Sequence, residues 1–207
     1  MRFATWLEKS VVGIMKERGI HTISDLSMEN LCDKFHIDVI YQPQTSHCIH
    51  EDDYDYALIC IDNRLPFYEQ RMKFFHELSH VLFHPGGDQR FLNQELTHLQ
   101  EIQAERIALY TSMPRHIFEP IIHKQHSIES LTELFEIPSS FISERILIIQ
   151  NERLRESYQQ ALQELDEKHL NKSLQPNQIH PSTQSILRKL ARLVGEENIE
   201  YSIKQLL

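Results

Sequence analysis

Apolar residues recur at helical spacing from the start of the chain. Trp6, Leu7, Val11, Ile14 and Met15 predict an amphipathic helix over residues 4–18, which Gly19 stops. A second helix is expected over 25–35, with Leu26, Met28, Leu31, Cys32 and Phe35 inward and Ser24 as N-cap. The period then changes. Ile37, Val39 and Tyr41 alternate with other positions, Ile49 sits in a second short run, and Ala57-Leu58-Ile59-Cys60-Ile61 is a compact apolar run. These predict three short strands separated by polar turns. The acidic cluster Glu51-Asp52-Asp53-Tyr54-Asp55 reads as a solvated turn.

Pro66 suits the start of a helix, where its missing N–H costs little. That helix is expected over 67–83, ended by His84-Pro85-Gly86-Gly87, with a loop over 86–95. A second long helix is expected over 96–112, stopping before Pro114. Beyond it the pattern is helical throughout, near 115–123, 128–136 and 139–165. A looser segment holds Pro176 and Pro181, and helices follow near 182–194 and 197–206. Leu154, Tyr158, Ala161, Leu162 and Leu165 form a stripe that reads as an intramolecular packing face. The fold class is α+β and mostly helical. A small three-stranded sheet is expected beside the 67–83 helix, with a helical C-terminal part.

Composition adds limits. The chain has 207 residues, 41% hydrophobic and 25% charged, ordinary for one globular domain with an extension. The net charge of -9 argues against direct nucleic-acid binding, which needs clustered Lys and Arg. Cys32, Cys48 and Cys60 are odd in number and form no C-x-x-C pair, which fits a reducing compartment. Charged residues interrupt the N-terminal apolar run, so it does not read as a signal peptide. No stretch approaches the roughly 18 apolar residues of a membrane span. The expected location is the cytoplasm, with no membrane partner.

The chemical signal is His76-Glu77-Leu78-Ser79-His80, an H-E-x-x-H pattern on the 67–83 helix. Positions i and i+4 share a helix face, so both imidazoles can reach one ion. Glu77 is turned about 100° from His76 around the axis, where its carboxylate can act on a water as general base. The flanking Phe74, Phe75, Leu78, Val81, Leu82 and Phe83 predict a buried helix. Histidines there are costly without a shared purpose. The alternative has His76 and His80 as core histidines bonded to carbonyls, with Glu77 at the surface. A catalytic zinc site has three protein ligands. His84, about 12 Å along the axis from His76, is too far to share the ion and reads as structural. Glu101 and Glu105 stand at i and i+4 on the next long helix, beside the small residues Ala104 and Ala108. One carboxylate can bind the metal while the other accepts an N–H from a ligand histidine.

The stretch from Ile59 to Pro114 resembles the ImmA/IrrE family of metallopeptidases. The resemblance rests on Ile61-Asp62-Asn63, the run from Arg71 through His76-Glu77-Leu78-Ser79-His80 to His84-Pro85, the segment Glu101-Ile102-Gln103-Ala104-Glu105-Arg106-Ile107-Ala108, and Met113-Pro114. It implies His76, His80 and Glu101 as ligands of Zn2+ and Glu77 as catalytic. Glu105 stands where Asn is usual, and would be a stronger acceptor for a ligand histidine; Ile107 stands where Phe is usual. The implied division is a zinc metallopeptidase domain over 1–125, a small helix-turn-helix-like segment over 126–150, and a C-terminal helical extension over 151–207. The oxyanion donor is open among Tyr110, Arg71, His84 and His98.

The resemblance also implies a protein substrate, a helix-turn-helix repressor whose cleavage derepresses a phage or mobile element, or a role in a DNA-damage response. The competing reading is a regulatory protein-interaction or DNA-binding module with a structural metal. Its DNA-binding version would place a recognition helix near 139–150, which offers Arg145 alone.

Overall fold

Thr5 accepts from the Glu8 N–H and opens helix α1 (Trp6–Glu17), whose Val11, Val12 and Met15 turn into the core. This is a computed structural model, and it describes residues 4–51, 55–85, 94–124, 127–173, 179–195, 199, 201–204 and 206. Several expectations lie outside those residues: the centre of the acidic turn at 52–54, residues 86–93 of the loop expected over 86–95, the segment around Pro176, and parts of the last expected helix. The chain divides into two compact units, residues 1–152 and 153–207.

In the first unit, Asp25 accepts from the backbone of His21 and Thr22 and a short 3₁₀ turn spans Ser24–Leu26. Helix α2 therefore starts later than expected, at Met28–Phe35, and its N-cap is Ser27, not Ser24. His36 closes α2 in the left-handed region at φ 54°. Three strands follow: β1 (Ile37–Gln42), β2 (His47–His50) and β3 (Ala57–Asp62). β3 is central, parallel to β1 and antiparallel to β2. Its near-complete burial explains its continuous apolar run, while β2 is an edge with Ile49 exposed.

Helix α3 (Phe67–Phe83) packs on β2, β3 and helix α4 (Gln94–Ser112). Phe74, Phe75 and Leu78 are fully buried, as are Ala104 and Ala108 on α4. Small side chains let the two helices close on each other. The chain continues through α5 (Arg115–Ile122), α6 (Ile128–Phe135) and α7 (Ser139–Ser173). The architecture is α+β and mostly helical, as expected. α7 outruns its expected end at 165 because neither Gly nor Pro interrupts it.

Three buried arginines, Arg71, Arg115 and Arg145, brace the helical part. Arg71 on α3 donates to the carbonyls of Leu26 and Phe135, 2.7 and 3.1 Å away. It thereby bonds chain ends left open by the 3₁₀ turn and by α6. Arg145 on α7 is fully buried, donates to Glu8 and to the Met113 carbonyl, and lies over the Tyr110 ring. Arg115 bonds Glu119 and Glu152 and lies 3.5 Å from Glu8. Arg145 was the cation on which a DNA-reading helix would depend, and its burial withdraws it from any phosphate.

In the second unit, helix α8 (Pro181–Val194) is followed by the short α9 (Tyr201–Lys204). Leu154, Tyr158, Leu162 and Leu165 are exposed. The packing expected for this stripe is absent among the described residues.

Arg145→Ala should cost roughly 3–5 kcal/mol, because it removes the nearer of the two cations beside the buried Glu8 carboxylate and leaves only Arg115, 3.5 Å away. Urea unfolding of this variant and of Glu8→Leu/Arg145→Leu checks the argument. The double variant is expected to lie closer to wild type.

Candidate metal centre

Helical periodicity puts His76 and His80 one turn apart on α3, and both rings turn toward α4. His76 Nε2 and His80 Nε2 are 3.3 Å apart. Glu101 brings its carboxylate from α4 to 3.2 Å from His76 Nε2 and 3.5 Å from His80 Nε2. One ligand atom from each of the three residues lies within 4.8 Å of the others. Two imidazoles and a carboxylate suit zinc, and three protein ligands leave a position open for water or substrate. By donor set and convergence, these residues fit the ion.

Burial shapes the electrostatics. It holds both His76 and His80 below the usual imidazole range, His80 down to about 4, against the opposing charge of Glu101. Both rings are therefore neutral at pH 7, the form that binds metal. Glu77 is buried, not at the surface as the core-histidine alternative required. Burial, then the Glu101 charge, raises its carboxyl to about 7. The Cys48 thiol and backbone N–H on β2 both bond the Glu77 carboxylate. Burial, then Glu77, pushes that thiol up.

The other sequence candidates separate clearly. His84 does not join the trio; its Nδ1 lies 2.9 Å from His80 Nδ1 and its Nε2 3.3 Å from Gln103 Oε1. Glu105 is exposed on α4 and acts on His76 through its charge. Arg71 and Tyr110 are buried, and Arg71 is committed to carbonyls. His98 is exposed.

A cleft of about 300 Å³ over the trio is lined by Thr45, Ser46, His47, Cys48, Lys73 and Glu77 besides the ligand set. A larger cavity of about 870 Å³ continues from His76 and Glu101 along Met72, Ile102, Leu109 and Phe141. Sequence reasoning missed Cys48, His47 and Lys73. Lys73 stands one turn before Glu77 and was legible by that spacing. The strand residues carried no signal, since only the sheet brings them to the motif.

The sequence profile of the IrrE N-terminal-like domain, peptidase family M78, matches residues 32–147. No curated protein matches the chain. Among solved structures, a Mycobacterium tuberculosis transcriptional regulator is similar at 16% identity with a TM-score of 0.47. The match covers 70% of this chain and 47% of that one, so the chain spans about half the regulator's length.

The raised Glu77 carboxyl makes a prediction for metal-free protein. A folded-state value near 7, against 4.5 for the free group, means the folded chain binds the extra proton in between. Stability is therefore lost as pH rises through that window. Glu77→Gln removes the loss. In chelator, its melting temperature should exceed that of wild type at pH 8, with the gap closing by pH 5.

Proposed function

Because the chain belongs to peptidase family M78 through its IrrE N-terminal-like domain, we propose that it is a zinc endopeptidase whose substrate is a helix-turn-helix repressor protein. The family sets the coarse function, which is metallopeptidase-type or IrrE-like regulatory. The observation that carries the finer reading is the convergence of His76, His80 and Glu101 beside a buried Glu77. A structural metal would have no use for such a carboxylate.

On this reading His76, His80 and Glu101 hold the ion. When bound, zinc supplies Lewis-acid chemistry, polarising a carbonyl and making water acidic near neutral pH. Glu77 takes a proton from the attacking water and returns it to the leaving amine. The two bonds from Cys48 hold the Glu77 carboxylate in place for both transfers. Lys73 is the cation lining the cleft, well placed to meet negative charge developing on the substrate. The 870 Å³ cavity beside the trio, with its apolar Met72, Leu109 and Phe141, receives the substrate chain.

Residues 1–125 form the peptidase part in this proposal. The segment 126–150 braces it through the Phe135 carbonyl and Arg145, and 151–207 is an extension. Cleavage of the repressor would release a phage or mobile element from control. The net charge of -9 favours recognition of a basic protein over binding its DNA.

Metal analysis and a cleavage assay test this together. Purified without chelator, wild type should carry about one zinc per chain, as a three-ligand catalytic site requires, and Glu101→Ala should lose it. Glu77→Gln should keep its zinc and lose roughly 10²–10⁴-fold in cleavage rate of a co-purified repressor. Full turnover by zinc-loaded Glu77→Gln would remove the role of Glu77. A wild-type protein that takes up no zinc would remove the peptidase reading.

A further inference from the structure

His84 has no task in the mechanism above, yet it is nearly fully buried. It lies one residue past the end of α3, in extended backbone at φ −113° and ψ 147°. As the fourth residue after His80, His84 falls on the same face one turn on, and its ring lies beside that of His80, with centroids 4.8 Å apart. Its two nitrogens then face two different groups: His80 Nδ1 at 2.9 Å and Gln103 Oε1, on α4, at 3.3 Å.

We propose that His84 and Gln103 are positioning residues that fix the tautomer of His80, keeping its Nε2 lone pair free for the metal. The proposal rests on the reading of His80 as a ligand. The argument is one of donors and acceptors. An amide oxygen can only accept, so His84 Nε2 carries the proton. A neutral imidazole has one N–H, so His84 Nδ1 is bare and must accept. His80 Nδ1 is then the donor across the 2.9 Å contact. Its other nitrogen, Nε2, is left with a lone pair, and this is the nitrogen that faces His76 and Glu101.

The orientation of one amide sets the whole chain. With the Gln103 NH₂ toward His84, each proton would shift by one place. His80 Nε2 would then carry hydrogen and could not ligate. Ligand histidines generally depend on such an outer acceptor. Here the acceptor is a second imidazole, whose own proton is assigned from the neighbouring helix. The order Gln103–His84–His80 therefore links the packing of α4 on α3 to the chemistry of the ligand.

Zinc affinity by chelator competition, with nitrogen-15 NMR of the metal-free protein, tests the proposal. His84→Ala should weaken zinc binding roughly 10–100-fold while the circular dichroism of the metal-free chain is unchanged. His84→Gln, whose amide oxygen can accept the His80 N–H, should recover most of the loss. Gln103→Glu should retain affinity, and Gln103→Ala should lose part of it. In wild type, NMR should find His80 as the Nδ1–H tautomer, and in Gln103→Ala as a mixture. The proposal is overturned if His84→Ala and Gln103→Ala both stay within about twofold of wild type, well inside the usual effect of an outer partner. His80 found as Nε2–H in wild type would also overturn it. Should His84→Ala not fold, the exposed Gln103 position and the NMR decide. A wild type that binds no zinc removes the ligand reading and this proposal with it. A wild type that binds zinc as tightly as both variants removes this proposal alone.

Discussion

The close packing of α4 on α3 is the contact on which the metal centre depends. Ala104 and Ala108 are fully buried, and no larger side chain could stand there without pushing the helices apart. The carboxylate of Glu101 reaches two imidazoles only because the backbones approach this closely. α3 thus does two jobs at once. It is a core helix, with Phe74, Phe75 and Leu78 fully buried, and it carries the polar groups of the site. Burying polar groups in such a helix is costly unless each is bonded. Each is: Ser79 donates to the Phe75 carbonyl, Glu77 accepts from Cys48, and His80 meets His84.

The sheet supplies the other wall. β3 is central and buried, so β2 lies at an edge, and α3 packs against both. The antiparallel register sets Cys48 opposite Ile59, which turns the Cys48 thiol and backbone toward Glu77. The general base in the proposed mechanism is therefore held by a strand that sequence reading treated only as a short apolar run.

Local pattern explains what was legible. The α3 and α4 motifs declare themselves because a helix repeats every 3.6 residues, so spacing alone places His76 with His80. The three strands were visible from their apolar runs, and the helices after Pro114 from theirs. Tertiary facts were not. Asp25 anchors the turn before α2 and moves the cap from Ser24 to Ser27. Arg145 looked like a surface cation because its partner, Glu8, stands at the far end of the domain. His84 was read as structural because it stands too far along the axis from His76 to share the ion; its contact with His80 follows from the i, i+4 spacing, and only its contact with Gln103, on α4, lay beyond local pattern. The α7 stripe was read as packed because its period is right, but period does not say whether a partner segment lies on that face.

The pair Glu8 and Arg145 is separated by 137 positions in sequence. On the ribosome, α1 emerges long before the residue that neutralises its buried carboxylate. Until α7 has been made, the buried Glu8 can meet only Arg115, on α5, and lacks its nearer cation. The contact therefore closes the unit between its first helix and its last, and ties the place of α1 to residues made after the whole metal-binding motif, as in a domain that folds as a unit.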